Sequence, residues 1–138
     1  EWAETRGTDF TTEALREIAR THVARRHDLE AQGPRLIIED TDIVTTSAWH
    51  RMLWGRRDPV LWAMPANADL YLLFAPDTVW VDDGTRRFGG TDRIRFHNAL
   101  VYELAMRNIN PVTIEGDWRQ READAVVAIE ALRDRQPA

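Results

Sequence analysis

Leu36-Ile37-Ile38 is an unbroken apolar run that stops abruptly at Glu39-Asp40-Thr41-Asp42. A short apolar run of this kind, following Gly33-Pro34, reads as a strand from Arg35 to Glu39 buried on both faces. Strands buried on both faces belong to parallel sheets, and parallel strands need crossover connections, usually helices. This one stretch therefore commits the chain to an α/β architecture.

The flanking pattern agrees. Thr11 and Thr12 can cap a helix whose apolar positions recur at Leu15, Ile18, Ala19, His22, Val23 and Leu29. Asp42 opens a second helix with Val44, Ala48, Met52 and Leu53 on one face, ending at Gly55. A basic, Pro-containing connection runs from Arg56 to Asn67, and Leu70 to Phe74 reads as the second strand. Thr91 can cap a helix carrying Phe96, Leu100, Val101 and Leu104. Pro111 to Ile114 is a short third strand. Asp117 then caps a last helix, with Gln120 placed for a capping box and Ala125, Val126, Ile129 and Leu132 facing inward. The alternation is that of a three-layer α/β domain spanning residues 1–138, without repeats or low-complexity stretches.

All 18 basic residues among the 138 are arginine, and the formal net charge is −5. The acidic balance disfavours nonspecific nucleic-acid binding. Arginine suits bidentate phosphate recognition. The absence of cysteine excludes disulfides and thiolate metal sites. No long apolar span or signal peptide is present, so a cytoplasmic, membrane-free protein is expected.

Two stretches carry chemistry. A carboxylate just beyond a strand's carboxyl end, here Asp40, can hold Mg²⁺ while the ion bridges phosphate oxygens. Glu39, Asp40 and Asp42 put three acids within four residues, a crowding that calls for a nearby cation. The plainer reading makes Asp42 a helix N-cap and Asp40 a turn residue. The second stretch, Asp83-Gly84-Thr85-Arg86-Arg87-Phe88-Gly89-Gly90, has the glycines of a hinge and two arginines able to reach phosphate oxygens. The plainer reading is a surface turn with solvated arginines. Of the six tryptophans, Trp49, Trp54 and Trp62 read as core. Trp118, at a loop-to-helix start, and Trp2, in a polar segment, are stacking candidates. His22, His27, His50 and His97 have no metal-site spacing and read as packing or solvated.

At these same residues the chain resembles the ribosylnicotinamide kinase domain of the NadR-like P-loop ATPases and kinases. The resemblance rests on Asp40-Thr41-Asp42 followed by Thr45-Thr46, and on Trp80, Val81, Asp83, Gly84, Arg86 and Gly89 of the lid pattern. A later acidic-aromatic-x-x-Arg turn matches Asp117, Trp118 and Arg121. It implies a P-loop NTPase-like parallel sheet that transfers the γ-phosphate of ATP to a nucleoside hydroxyl, in nicotinamide riboside for the best-known members. Asp40 then corresponds to the magnesium aspartate, and Asp42 lies beside the ribose pocket or the metal. Arg86 is the lid arginine reaching the ATP phosphates, among the nucleotide-binding lid residues Asp83, Gly84 and Arg87. Trp118 and Arg121 border the adenine, and Glu1-Trp2 adjoins the nucleoside pocket.

Two departures accompany the resemblance. Glu4 stands where the family has an arginine, with Arg6 nearby. The GxxxxGK[ST] phosphate loop is missing and, without any lysine, is not present in altered form. Its strand, the first of the sheet, is expected upstream of Glu1. Three readings follow: an ATP- and Mg²⁺-dependent nucleoside kinase, a regulatory P-loop ATPase with no small-molecule acceptor, and a non-enzymatic interaction module. A homo-oligomer is compatible with all three.

Overall fold

The structure, a computed structural model, describes residues 10–79 and 89–135. The chain divides into two compact units, Glu1–Ala66 and Asn67–Ala138.

Among its described residues the first unit contains three helices, α1 (Thr12–Ala31), α2 (Ile43–Trp54) and α3 (Pro59–Ala63). Each begins where a short polar side chain takes up a backbone N–H left free by the helix start. The Thr11 hydroxyl accepts from Ala14 N at 3.1 Å. One Asp42 oxygen accepts from Val44 N at 2.9 Å and Thr45 N at 3.3 Å. Asp58 Oδ1 accepts from Leu61 N at 3.0 Å, with Pro59 preorganising the first turn of α3. Gly55 ends α2 at φ 64°, a left-handed conformation that favours glycine. Leu15, Ala19, Ile43, Val44, Ala48 and Leu61 form the buried apolar set. Leu61 is fully buried, which stabilises the unit by roughly 1.5–3 kcal/mol.

Polar contacts join these helices. Arg16 donates Nε to Asp58 Oδ1 at 3.1 Å and Nη2 to Oδ2 at 2.7 Å. The hydrogen bond from Arg16 outweighs the burial that would raise the Asp58 carboxyl, and holds it below its ordinary value. Hydrogen bonds from Arg20 and then Arg16 lower Glu13 in the same way. His50 is buried, with Nε2 3.0 Å from the Thr12 hydroxyl and Nδ1 2.9 Å from Arg56 O. A carbonyl only accepts, so Nδ1 carries a proton.

Three sequence expectations change here. Arg35 to Glu39 forms no strand, and Leu36 and Ile38 are exposed, because no backbone partner for them occurs among the described residues. The connection from Arg56 to Asn67 contains α3, whose Asp-Pro start is a local helix signal. Trp54 is exposed rather than core. Trp49 is half-buried and meets Phe10 edge-on at 5.3 Å, while Trp62 is half-buried beneath Arg57, 3.9 Å from its ring centre.

The second unit runs β1 (Leu72–Phe74), α4 (Thr91–Met106), β2 (Val112–Ile114), α5 (Trp118–Arg135). β1 and β2 are parallel, with Leu72, Leu73 and Phe74 opposite Val112, Thr113 and Ile114. Val112 N donates to Tyr71 O and Ala75 N to Ile114 O, each at 2.8 Å, bracketing the ladder. Leu73, Ala99, Leu104 and Ile114 are its buried apolar residues. The mixed helix–strand chain with a small parallel sheet agrees with the α/β reading in its coarse form.

Thr91 is the first residue of α4 rather than its cap; Gly90 precedes it at φ 54° and makes no side-chain cap. The buried stripe of α4 is Ala99, Glu103 and Leu104, leaving Val101 exposed. On α5 the Asp117 carboxylate caps Gln120 N at 2.8 Å, but the Gln120 amide turns to Asp124 at 2.7 Å instead of closing the box. Val126 is exposed, and Arg121 is the buried residue of this helix. No helix among the described residues is long and apolar enough to cross a membrane.

Candidate functional site

In the first unit the acidic turn precedes α2. Its three carboxylates have separate surroundings. Glu39 is ion-paired with Arg26 of α1. Asp42 spends an oxygen on the first turn of α2, where the helix N-terminus favours negative charge. Asp40 is exposed. The crowding read from the sequence is thus relieved at two of three positions by the chain itself. Among the described residues no group of three or more His, Asp or Glu side chains could cage a metal. An exposed carboxylate at the end of a connecting segment does fit Mg²⁺, which keeps several waters and takes one or two carboxylates together with substrate phosphates.

In the second unit the functional candidates gather at the carboxyl ends of the two parallel strands, where α/β sheets bind ligands. The loop leaving β1 is Ala75-Pro76-Asp77-Thr78, and the turn leaving β2 is Glu115-Gly116-Asp117. Arg121, with 4% of its side chain exposed, ties them together. Its Nε donates to Gly116 O at 2.7 Å and its Nη2 to Ala75 O at 2.9 Å. The same Nη2 is ion-paired with Asp77 Oδ1. Asp77 Oδ2 in turn accepts from Gly116 N at 2.8 Å. Gly116 holds φ 91°, a conformation a side chain would strain. From α4, Arg93 Nη2 donates to the carbonyls of Pro76 and, at 2.7 Å, Thr78. Two guanidiniums therefore fasten the loop leaving β1.

The Arg121 guanidinium carbon lies 5.8 Å from the ring centre of Trp118 and 5.9 Å from that of Phe74. Trp118 is 73% exposed and Phe74 48%. The structure thus brings the predicted pair Trp118 and Arg121 together, with the indole open and the arginine buried. It sets Asp40 and Asp42 in one turn, with Asp42 bound to the helix backbone. Glu1, Trp2, Asp83, Gly84, Arg86 and Arg87 lie outside the described residues.

Sequence reasoning missed Asp77, Arg93 and the pairing of Arg26 with Glu39. Pro76-Asp77 straight after an apolar strand is a turn signal that could have pointed to Asp77. Arg93 and Arg26 have no such signal, since their partners are fixed only by the fold.

A family profile described as an AAA domain matches residues 1–121. The chain is 40% identical over 79 residues to the Trifunctional NAD biosynthesis/regulator protein NadR of Escherichia coli (strain K12), a match covering 55% of this chain and 19% of that protein. It is 36% identical over 101 residues to the protein of the same name from Salmonella typhimurium, covering 70% of this chain and 25% of the relative. The chain spans about a quarter or less of the curated relatives it matches.

Proposed function

The chain belongs to the AAA domain family and is NadR-like, and from that premise we propose that it is the nucleotide-handling part of an ATP-dependent nucleoside kinase acting on nicotinamide riboside in NAD salvage. The observation that carries this reading is the agreement of the family match over residues 1–121 with relatives named for NAD biosynthesis. The fold proposed with it is one domain over residues 1–138, a three-layer P-loop-type sheet. Such a kinase needs a lysine-bearing phosphate loop, and these 138 residues contain no lysine.

In this reading Asp40 holds Mg²⁺, which when bound neutralises phosphate charge. Exposed, and without a hydrogen-bond or ion-pair partner among the described residues, its carboxylate is available for that task. Asp42 keeps the start of α2 in place beside the ribose. Arg86 and Arg87, with Asp83 and Gly84, approach the ATP phosphates, and Glu1 and Trp2 adjoin the nucleoside. Trp118 and Arg121 border the adenine, Arg121 from behind, since its Nε and Nη2 donors are taken by Gly116, Ala75 and Asp77. The cytoplasm is the compartment proposed.

A second reading is a regulatory P-loop ATPase without a small-molecule acceptor. Glu4 in place of the family arginine and the word regulator in the relatives' name favour it. ADP release by the native gene product, with Mg-ATP and a panel of nucleosides, separates the two. Stimulation by nicotinamide riboside is expected. Turnover indifferent to every nucleoside would overturn the kinase in favour of the regulatory ATPase, and no turnover would remove both.

A further inference from the structure

We propose that Asp77 is a positioning residue for a base-stacking seat formed by Trp118 and Phe74, and that it acts through Arg121. The inference rests on the nucleotide-binding part of the function proposed above and adds two residues to it, Phe74 and Asp77.

Two large aromatic side chains stand open at the carboxyl ends of β1 and β2, Phe74 as the last residue of β1 and Trp118 as the first of α5. Both lie within 6 Å of one buried guanidinium. A cation held beside an aromatic face fixes the ring's orientation, and more firmly where water is excluded. The open side of each ring is then available to a planar heteroaromatic, whose stacking is worth about 1–3 kcal/mol per base. The guanidinium is itself oriented. Ala75 O and Gly116 O set its plane, and Asp77 supplies the one opposite charge paired with it among the described residues. Asp77 also holds Gly116 N, so one carboxylate fixes both the arginine and the turn from which Trp118 departs. At 42% side-chain exposure Asp77 lies at the edge of this arrangement. Replacing it by asparagine keeps its shape and the acceptor for Gly116 while removing the charge that steers Arg121.

The test uses the native gene product and its Asp77→Asn, Phe74→Leu and Trp118→Leu variants, first checked for a wild-type melting transition. Asp77→Asn is expected to raise the KM for ATP about 5–10-fold, within the range of a weakened stack. kcat and the KM for the nucleoside should stay within about twofold. Trp118→Phe should recover most of the affinity lost in Trp118→Leu. An unchanged KM for ATP in Asp77→Asn overturns the proposal, as does an equal fall in all parameters together with the melting temperature. A direct readout is kept independent of turnover: tryptophan fluorescence during titration with ATP. Quenching that Trp118→Leu abolishes and Asp77→Asn shifts to higher ATP supports the seat even if no nucleoside is phosphorylated. Absent quenching, or quenching indifferent to both variants, removes it.

Discussion

Arg16 and Asp58, 42 residues apart, meet fork to fork: Nε and Nη2 of the arginine each reach a different carboxylate oxygen. Asp58 Oδ1 at the same time caps Leu61 N at the start of α3. One carboxylate thereby joins α1 to α3 and initiates α3. Replacing Asp58 by alanine removes two charge-assisted hydrogen bonds and a helix cap. A loss of about 2–4 kcal/mol in unfolding free energy is expected, read from urea denaturation. Asparagine should lose less, since it keeps the cap.

The same carboxyl gives the chain an acid dependence. Arg16 holds Asp58 below its ordinary 3.8, and Arg20 with Arg16 holds Glu13 below its ordinary 4.5. Both groups therefore bind protons more weakly folded than unfolded. Their contribution is complete above these ordinary values and is lost as pH falls through the lower folded ones. The urea midpoint should be flat with respect to these groups near neutrality and fall below about pH 4.5. Asp58→Asn should flatten the lower part of that fall; an unaltered profile would refute the assignment.

Asp42 separates structure from recognition. Its oxygen caps two N–H groups of α2. Asp42→Ala should cost about 1 kcal/mol, and Asp42→Ser or Asn very little. If Asp42 also meets the ribose, the serine variant will melt like the wild type while its KM for nucleoside rises. A wild-type KM in the stable serine variant would confine Asp42 to capping.

Asp40 should show the opposite balance. It is exposed, so Asp40→Ala is expected to change stability by no more than about 0.5 kcal/mol. Turnover with Mg-ATP should drop about 100-fold or more, the scale of losing a group that stabilises developing phosphate charge. Activity near wild type would return Asp40 to an ordinary turn residue.

What could be read from the sequence was what is local. The caps at Thr11, Asp42 and Asp117 and the stop at Gly55 lie within four residues of the groups they serve, and each appears in the structure. What was misread depends on distant partners. Leu36 to Ile38 has the composition of a central strand, yet a strand exists only with a ladder beside it. The acidic crowding at Glu39 asked for a cation, and the answer is Arg26, thirteen residues earlier on another element. Arg121 shows the subtler failure. It lies four residues before Ala125 and eight before Ile129, on their inward-facing stripe, but charge argues for exposure unless the acceptors are known. Ala75, Asp77 and Gly116 supply those acceptors, and none is visible by spacing. The lid arginines lie outside the described residues.

The register of Leu72 with Val112 has a kinetic consequence. The second unit's only described ladder joins residues 112 − 72 = 40 positions apart, with α4 in the connection. Closing such a loop costs entropy before any interstrand hydrogen bond returns it. Helix α4 forms on its own local contacts, so it should be the early event, and the pairing of β1 with β2 the late one. Amide protons of Val112 and Ala75 would then gain protection in pulsed exchange after those inside α4. Helical signal should likewise precede the ordering of the loops that Arg121 fastens.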